Sequence, residues 1–161
     1  MFFGPGASEP PAGRFDATNG SFRTCYAGMT PEACFAEKFL RLGERTIEES
    51  FLQKIALARI ELLQPLTLVA LHGQGLSSVS ATASAVNGPY ASSRLWSAAL
   101  HAHPQRPDGL CWRSRFDDSL FCVALFDRCR AHLRVAESVA LVERPALLMA
   151  MSQRWGLALI D

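Results

Sequence analysis

Helix and strand signals intermix along this chain without the strict strand–helix–strand rhythm of a doubly wound sheet. Apolar runs at residues 110–114 and 120–126 predict two strands separated by an acidic turn, and residues 66–71 predict a buried strand. Residues 92–103 and 145–154 predict helices. This irregular mixture favours an α+β fold.

The boundaries of an early helix are well marked. Thr30-Pro31-Glu32 supplies a threonine N-cap, a proline at the first helical position and an acid in the first turn. Gly43 is expected to end this helix after about residue 42. Thr46 and Glu49 have the spacing of a capping box and predict a second, short helix. Four apolar positions share one face of the first helix: Ala33, Ala36, Phe39 and Leu40.

Other segments give weaker signals. Residues 22–27 predict a short strand, and residues 155–160 predict a last one. The stretch 55–71 is ambiguous: residues 55–60 fit either a helix or a strand, and Pro65 breaks the segment. The small and polar residues at 73–89 are a poor sequence for regular structure.

Length and composition indicate one domain over residues 1–161, with an irregular Gly-, Pro- and Ser-rich segment at 1–21. The 16 basic and 15 acidic side chains give a net charge of +1, which excludes a broad electrostatic grip on nucleic acid or anionic lipid. No apolar run reaches the ~18–20 residues of a membrane span. The first residues lack the basic and apolar regions of a secretion signal, so we expect a cytoplasmic protein.

Cysteine and histidine spacing gives no support for a metal. The five cysteines form no C-x-x-C pair and are expected to be reduced, buried thiols. His101 and His103 lack a third ligand nearby. The basic residues are 14 Arg and only 2 Lys, a bias that fits the base composition of a genome but also provides forked donors for phosphate or carboxylate.

Motifs of the common nucleotide-binding and hydrolase folds are missing, including G-x-x-x-x-G-K-[ST], G-x-G-x-x-G and G-x-S-x-G. What remains is a series of functional side-chain types. Arg14 lies in a loop, Tyr26 ends a strand and Glu37 lies within the first helix. Ser114 and Arg115 follow at the end of a later strand.

Each of these residues also has an ordinary structural explanation. Arg14 could pair with a surface acid, and Tyr26 could be a core aromatic with its hydroxyl at the rim. Glu37 has the spacing to pair with Arg41 on a solvated helix face. Ser114 could be a strand residue without a further role. Spacing alone does not choose between these explanations and a functional site.

Three separated blocks, in the right order, resemble the RES-domain family. The first contains residues 13–16, 24–28 and 30–37, the second is Pro65-Leu-Thr-Leu-Val-Ala-Leu-His-Gly73, and the third contains residues 108–115 and 120–126. The family takes its name from an Arg, a Glu and a Ser, which correspond here to Arg14, Glu37 and Ser114. Two departures stand out: Ala70 replaces a usual Asp, and the strand that commonly precedes the Arg-Phe block is expected to be short or missing.

The resemblance implies a fold similar to that of ADP-ribosyltransferase toxins, with mixed β-sheets and flanking helices. It implies a bacterial toxin of a toxin–antitoxin pair that cleaves the nicotinamide–ribose bond of NAD, with water or phosphate as acceptor. Some members instead transfer ADP-ribose to a protein, and a catalytically silent binding domain is a third possibility. The implied partner is an Xre-like helix-turn-helix antitoxin that covers the active site and, unlike this chain, binds DNA.

The chemistry of that bond suggests a role for each residue. Glu37 would stabilise positive charge on the ribose, since nicotinamide leaves as a neutral group and needs no general acid. Arg14 would bind phosphate, with Arg115 as a secondary phosphate ligand. The ring of Tyr26 would stack on the cationic nicotinamide. Ser114 would orient the amide or the ribose, or position Glu37, and no metal is required.

Overall fold

The computed structural model describes residues 3–5 and 8–160 and confirms the α+β fold. Eight strands lie in these ranges: β1 (Thr24–Gly28), β2 (Thr46–Glu48), β3 (Ala56–Leu62), β4 (Leu68–Ala70), β5 (Gly109–Arg113), β6 (Phe121–Phe126), β7 (Leu133–Ala140) and β8 (Ala158–Ile160). The same ranges hold six α-helices: α1 (Pro31–Phe39), α2 (Glu49–Leu52), α3 (Gln74–Ser78), α4 (Ser84–Asn87), α5 (Tyr90–His101) and α6 (Pro145–Trp155). Three 3-10 segments also lie in these ranges, at Leu40–Leu42, Asp127–His132 and Leu141–Glu143.

The main sheet has the strand order β1-β6-β5-β4. Strand β6 lies antiparallel between β1 and β5, and β4 pairs in parallel with β5. Side chains alternate between its faces: Leu110, Trp112 and Ala124 join one core, whereas Cys111 and Val123 join another. Burial on both faces accounts for the nearly continuous apolar runs of β5 and β6.

Two smaller ribbons complete the strands. Strands β2 and β8 pair in parallel, and β3 and β7 pair antiparallel with an irregularity between Arg59 and Ile60. The segment that fitted either a helix or a strand is therefore β3, because β7 provides its hydrogen-bond partner. Strand β7 had no prediction in the sequence, and most of its residues are exposed.

Helix α1 confirms the predicted start and stop signals. The side chain of Thr30 accepts a hydrogen bond from the backbone N–H of Ala33 over 3.3 Å, and Pro31 is the first helical residue. The helix tightens into the 3-10 turn and ends at Gly43, whose φ of 75° is in the left-handed region. Complete burial of Ala33 and Ala36 lets α1 approach the main sheet closely.

Three local predictions were wrong. The predicted second, short helix is present as α2, but the capping box is wrong: Thr46 lies in β2, and α2 begins at Glu49 without a side-chain cap. Residues 73–89 hold α3 and α4 rather than irregular chain. Gly75 in α3 packs closely against the end of β4, where a Cβ would lie 2.1 Å from the Ala70 oxygen. The last strand begins only at residue 158, because Gly156 (φ 61°) ends α6 first.

Residues 3–5 and 8–21 contain no helix or strand but are anchored to the core. The backbone N–H of Gly4 donates to the Thr24 oxygen over 2.8 Å, which places it beside β1, and Phe3 is buried. The expectation of a short N-terminal strand falls partly on residues 1, 2, 6 and 7, which lie outside the described residues. Among the helices of the described ranges, none is long and apolar enough to cross a bilayer.

Candidate functional site

A cleft opens between the loop before β1, helix α1, the start of α5 and the end of β5. It consists of two adjoining cavities of about 110 and 380 Å³, both lined by Val86, Asn87 and Arg115. The larger volume is within the range of ordinary small-molecule sites. The predicted site residues lie here: Arg14, Tyr26, Glu37 and Arg115 line the first cavity, and Ser114 and Arg115 line the second.

The carboxylate of Glu37 is held by a buried serine. Ser114, at 2% exposure, donates from its hydroxyl to Oε1 of Glu37 over 2.8 Å. The same hydroxyl accepts a hydrogen bond from the backbone N–H of Phe116 over 3.2 Å. Because a carboxylate oxygen can only accept, the hydroxyl hydrogen points at Glu37. The structure therefore brings Ser114 and Glu37 into direct contact.

Arg14 is held in the cleft by neutral acceptors, and none of the ion pairs seen within residues 3–5 and 8–160 involves it. Its Nη1 donates to the backbone oxygen of Gly88 over 2.5 Å and to Oγ of Ser93 over 3.1 Å. Its guanidinium carbon lies 4.5 Å from the centre of the Tyr90 ring. Burial lowers the pKa of Arg14 below its ordinary value, although an arginine stays charged at any working pH. These contacts use Nη1 and one face of the guanidinium, and in the part of the chain that the structure describes no hydrogen bond occupies Nε or Nη2.

Tyr26 is oriented opposite to a core aromatic residue with its hydroxyl at the rim, which was the alternative explanation from the sequence. Its side chain is exposed to 41%, while its hydroxyl accepts from the Phe15 N–H over 2.7 Å and donates to Oδ1 of Asp16 over 2.9 Å. Burial of the hydroxyl end, followed by the negative charge of Asp16, raises the pKa of Tyr26. The hydroxyl therefore forms hydrogen bonds within the protein, and the ring faces the cavity.

Asp16 and Gly13 explain why the ring lies in this position. The buried Asp16 carboxylate also accepts from the backbone N–H groups of Ala12, over 3.0 Å, and of Gly13, over 2.5 Å. The Tyr26 ring lies against the backbone of Gly13, where a Cβ would be 2.3 Å from the phenolic oxygen. Both oxygens of Asp16 therefore accept hydrogen bonds that hold Tyr26 and the loop carrying Arg14.

Two lining residues that the sequence did not predict as site residues are Tyr90 and Arg41. Arg41 makes no ion pair with Glu37 within 4.0 Å, and instead its Nη2 donates to the Tyr90 hydroxyl over 2.8 Å. Tyr90 is the first residue of α5, after a segment that gave no signal of regular structure. No sequence pattern links residues 41 and 90, because only the fold brings them together.

Charge in the first cavity is strongly asymmetric. Arg14, Arg41 and Arg115 line it, and Glu37 is the one carboxylate among its described lining residues. The site therefore carries two excess positive charges, whereas the whole chain carries only +1. An excess of this kind attracts anionic ligands.

Cys122 adds a buried thiol beside the carboxylate, with Sγ 3.9 Å from Oε1 of Glu37. Burial, then the charge of Glu37, raises the pKa of Cys122 to about 12, so the sulfur stays protonated and is a poor nucleophile. All five cysteines are free thiols. Within residues 3–5 and 8–160, no group of three His, Cys, Asp or Glu side chains is arranged to hold a metal ion.

This arrangement is suited to stabilising a cation beside a bound anion. A carboxylate fixed by a neutral donor faces the same cavity as an exposed aromatic ring and several guanidiniums. The pair of facing carboxylates used by ordinary glycosidases is not present among the described lining residues of the first cavity.

Comparison with known proteins agrees with the sequence resemblance. The model of the family described as RES domain matches residues 1–148. A protein named "Probable toxin y4kH", from Sinorhizobium fredii (strain NBRC 101917 / NGR234), is 32% identical over 93 residues, which are 57% of this chain and 72% of that protein. No solved structure matches the chain significantly. The family match covers every residue of the cleft discussed above, and the chain belongs to the RES domain family.

Proposed function

We propose that this protein cleaves the nicotinamide–ribose bond of NAD. The observation that carries the proposal is the position of Glu37, which Ser114 orients within the cavity that Arg14 and the Tyr26 ring also line. A dinucleotide with a cationic base, a ribose and a pyrophosphate requires these three kinds of contact.

The reaction needs little proton transfer. The bond between C1 of the ribose and the pyridinium nitrogen breaks, and its electron pair leaves with neutral nicotinamide. The remaining sugar is an oxocarbenium-like cation, which a carboxylate stabilises by its charge and by accepting a hydrogen bond from a ribose hydroxyl. Water then adds to C1 and releases a proton to give ADP-ribose, or phosphate adds to give ADP-ribose 1-phosphate.

The other contacts bind and orient the substrate. The exposed Tyr26 ring stacks on the pyridinium ring, a contact worth roughly 0.5–2 kcal/mol. Arg14 binds phosphate oxygens with the nitrogens that the protein leaves free. Ser114 keeps the Glu37 carboxylate from rotating away from the sugar.

We further propose that NAD depletion makes the protein a toxin, held in check by an antitoxin. The name of the Sinorhizobium relative and membership of the RES domain family support this part of the proposal. The expected antitoxin is an Xre-like helix-turn-helix protein that covers the cleft. A small gene for such a protein next to this one would support the pairing.

The decisive experiment follows free nicotinamide after the purified, antitoxin-free protein is mixed with NAD. Glu37→Gln preserves size and should lower turnover by a factor of ~10²–10³. Glu32→Gln is the matched control, because Glu32 lies in the first turn of the same helix and does not line the cleft. No nicotinamide release by the unmodified protein, or equal activity of both variants, would contradict the proposal.

Labelled NAD in a cell lysate identifies the acceptor. Label in soluble ADP-ribose products indicates NAD degradation, whereas label on one protein band indicates ADP-ribosyl transfer from the same site. Equilibrium binding of NAD without either product would indicate a silent binding domain.

A further inference from the structure

Tyr90 lies at the centre of three guanidiniums. Its ring centre is 4.5 Å from the guanidinium carbon of Arg14, 5.5 Å from that of Arg94 and 5.9 Å from that of Arg41. These arginines come from the loop before β1, from α5 itself and from the 3-10 turn after α1. The three arginines are far from one another in the sequence, and each of them contacts the Tyr90 ring.

The three guanidiniums are not equally available to a ligand. Arg94 donates to the backbone oxygens of Gly13 and Pro11, over 3.1 and 2.9 Å. Its donors therefore stabilise the loop before β1. Arg41 is exposed, lines the first cavity, and makes one hydrogen bond, to the Tyr90 hydroxyl. Its remaining donors face no protein acceptor among the described residues.

The chemistry of Tyr90 preserves the positive charge of this cluster. A carboxylate at this position would also orient Arg41, but it would cancel the charge. A neutral phenol instead accepts a hydrogen bond through its oxygen, and its ring face attracts a cation. Burial is the main cause of the lowered pKa of Arg14; the charges of Arg115 and Arg41 lower it further, while Tyr90 and Glu37 act in the opposite direction. Three guanidiniums and one carboxylate line the first cavity, so Glu37 compensates only part of the positive charge. Such a cluster is completed by an anion with more than one charge.

We propose that Arg41 is a second phosphate-binding residue of the cleft, and that Tyr90 is the positioning residue that holds Arg41 and Arg14 ready for the two phosphates of a dinucleotide. This inference rests on the proposed function, since it assigns the pyrophosphate of NAD to one end of the same site. The cleft then selects substrates by their pyrophosphate as well as by their base.

The test uses ADP-ribose as the probe, because its binding requires no turnover. Arg41→Ala should weaken ADP-ribose binding by on the order of tenfold to a hundredfold, since charge-assisted bonds to phosphate are lost. The effect on NAD cleavage should be in KM rather than in kcat. Arg41→Lys keeps the charge but not the fork and should recover part of the affinity.

Tyr90→Phe tests the positioning role, because it keeps the ring and removes the acceptor. It should weaken ADP-ribose binding several-fold in the unmodified protein and have no further effect in the Arg41→Ala background. Arg23→Ala is the charge-matched control, since Arg23 is exposed and does not line the cleft. Unchanged ADP-ribose affinity in Arg41→Ala, an equal loss in Arg23→Ala, or additive effects of the two cavity variants would overturn the inference.

The two proposals fail in different ways. If the protein releases nicotinamide from NAD but Arg41→Ala has normal KM and ADP-ribose affinity, the cleavage proposal stands and the Arg41 assignment is wrong. If ADP-ribose binds in an Arg41-dependent manner but no nicotinamide is released, the phosphate site stands and the cleavage proposal is wrong. If the unmodified protein does not bind ADP-ribose, the phosphate site is wrong.

Discussion

A methyl group at position 13 would occupy the space that the Tyr26 ring fills. A Cβ built on Gly13 lies 2.3 Å from the phenolic oxygen and 2.6 Å from two ring carbons, much less than a van der Waals contact. In Gly13→Ala the ring must therefore leave its place and give up its hydrogen bonds to the Phe15 N–H and the Asp16 carboxylate. The conformation of the backbone is not the cause, because Gly13 does not have a positive φ.

The expected loss of stability follows from the two hydrogen bonds of the Tyr26 hydroxyl. A neutral hydrogen bond contributes about 1 kcal/mol and one to a charged group about 1.5–3 kcal/mol, so Gly13→Ala should lower the free energy of unfolding by about 2–4 kcal/mol. For a chain of this size that corresponds to a Tm lower by roughly 5–15 °C. The displaced ring would also enter the cavity, so NAD turnover should fall with it.

A double-mutant cycle isolates the cause. Tyr26→Ala removes the ring, so adding Gly13→Ala should then change the free energy of unfolding by less than about 0.5 kcal/mol. Urea unfolding of the four proteins gives the required values. Additive losses would refute the reasoning, because the alanine methyl would then be harmful without any contact to Tyr26.

Two further perturbations test the surroundings of Glu37. Ser114→Ala should reduce NAD turnover by about 10–100-fold through the loss of a bond to a charged group, whereas Ser138→Ala, at an exposed position of β7, should leave turnover unchanged; equal turnover in the two variants would exclude the positioning role. The pKa of Cys122 is about 12 in the folded protein and 9.0 is its ordinary value, so the folded state holds this proton more tightly than the unfolded state. The contribution of this thiol to the free energy of unfolding is therefore complete below pH 9 and should fall as the pH rises toward 12, by at most about 1.4 kcal/mol per pH unit. Urea unfolding between pH 8 and 10.5 should show a shallower decline in Cys122→Ala than in the unmodified protein.

The elements that the sequence predicted are those with local determinants. Helix α1 has its own start at Thr30 and its own stop at Gly43, and β5 and β6 are apolar enough to be recognised alone. Strand β7 was missed because its exposed residues carry no strong pattern and its formation depends on pairing with β3, more than 70 residues earlier in the chain. The same reason applies to Thr46, whose spacing fits a helix cap but whose backbone pairs with β8.

For the site, residue types were easier to predict than orientations. The Arg14, Glu37 and Ser114 set came from the family resemblance, and the cleft brings these residues together. The outward ring of Tyr26 depends on Asp16 and on the missing side chain of residue 13, neither of which a spacing rule includes. Tyr90 could not be predicted as a lining residue, because only the fold brings it to the cavity and beside Arg14 and Arg41.

The loop that carries Arg14 has no regular secondary structure, and its neighbour Phe15 explains how it is nevertheless held. The Phe15 side chain is completely buried and packs 4.8 Å from the Trp112 ring, centre to centre. Its backbone oxygen accepts from the hydroxyls of Thr24 and Ser97, over 3.2 and 2.7 Å, and its N–H donates to Tyr26. A residue fixed through its ring, its oxygen and its N–H leaves the residue before it little freedom. The core therefore holds the loop that carries Arg14 in place, which is what the proposed dinucleotide site would require of it.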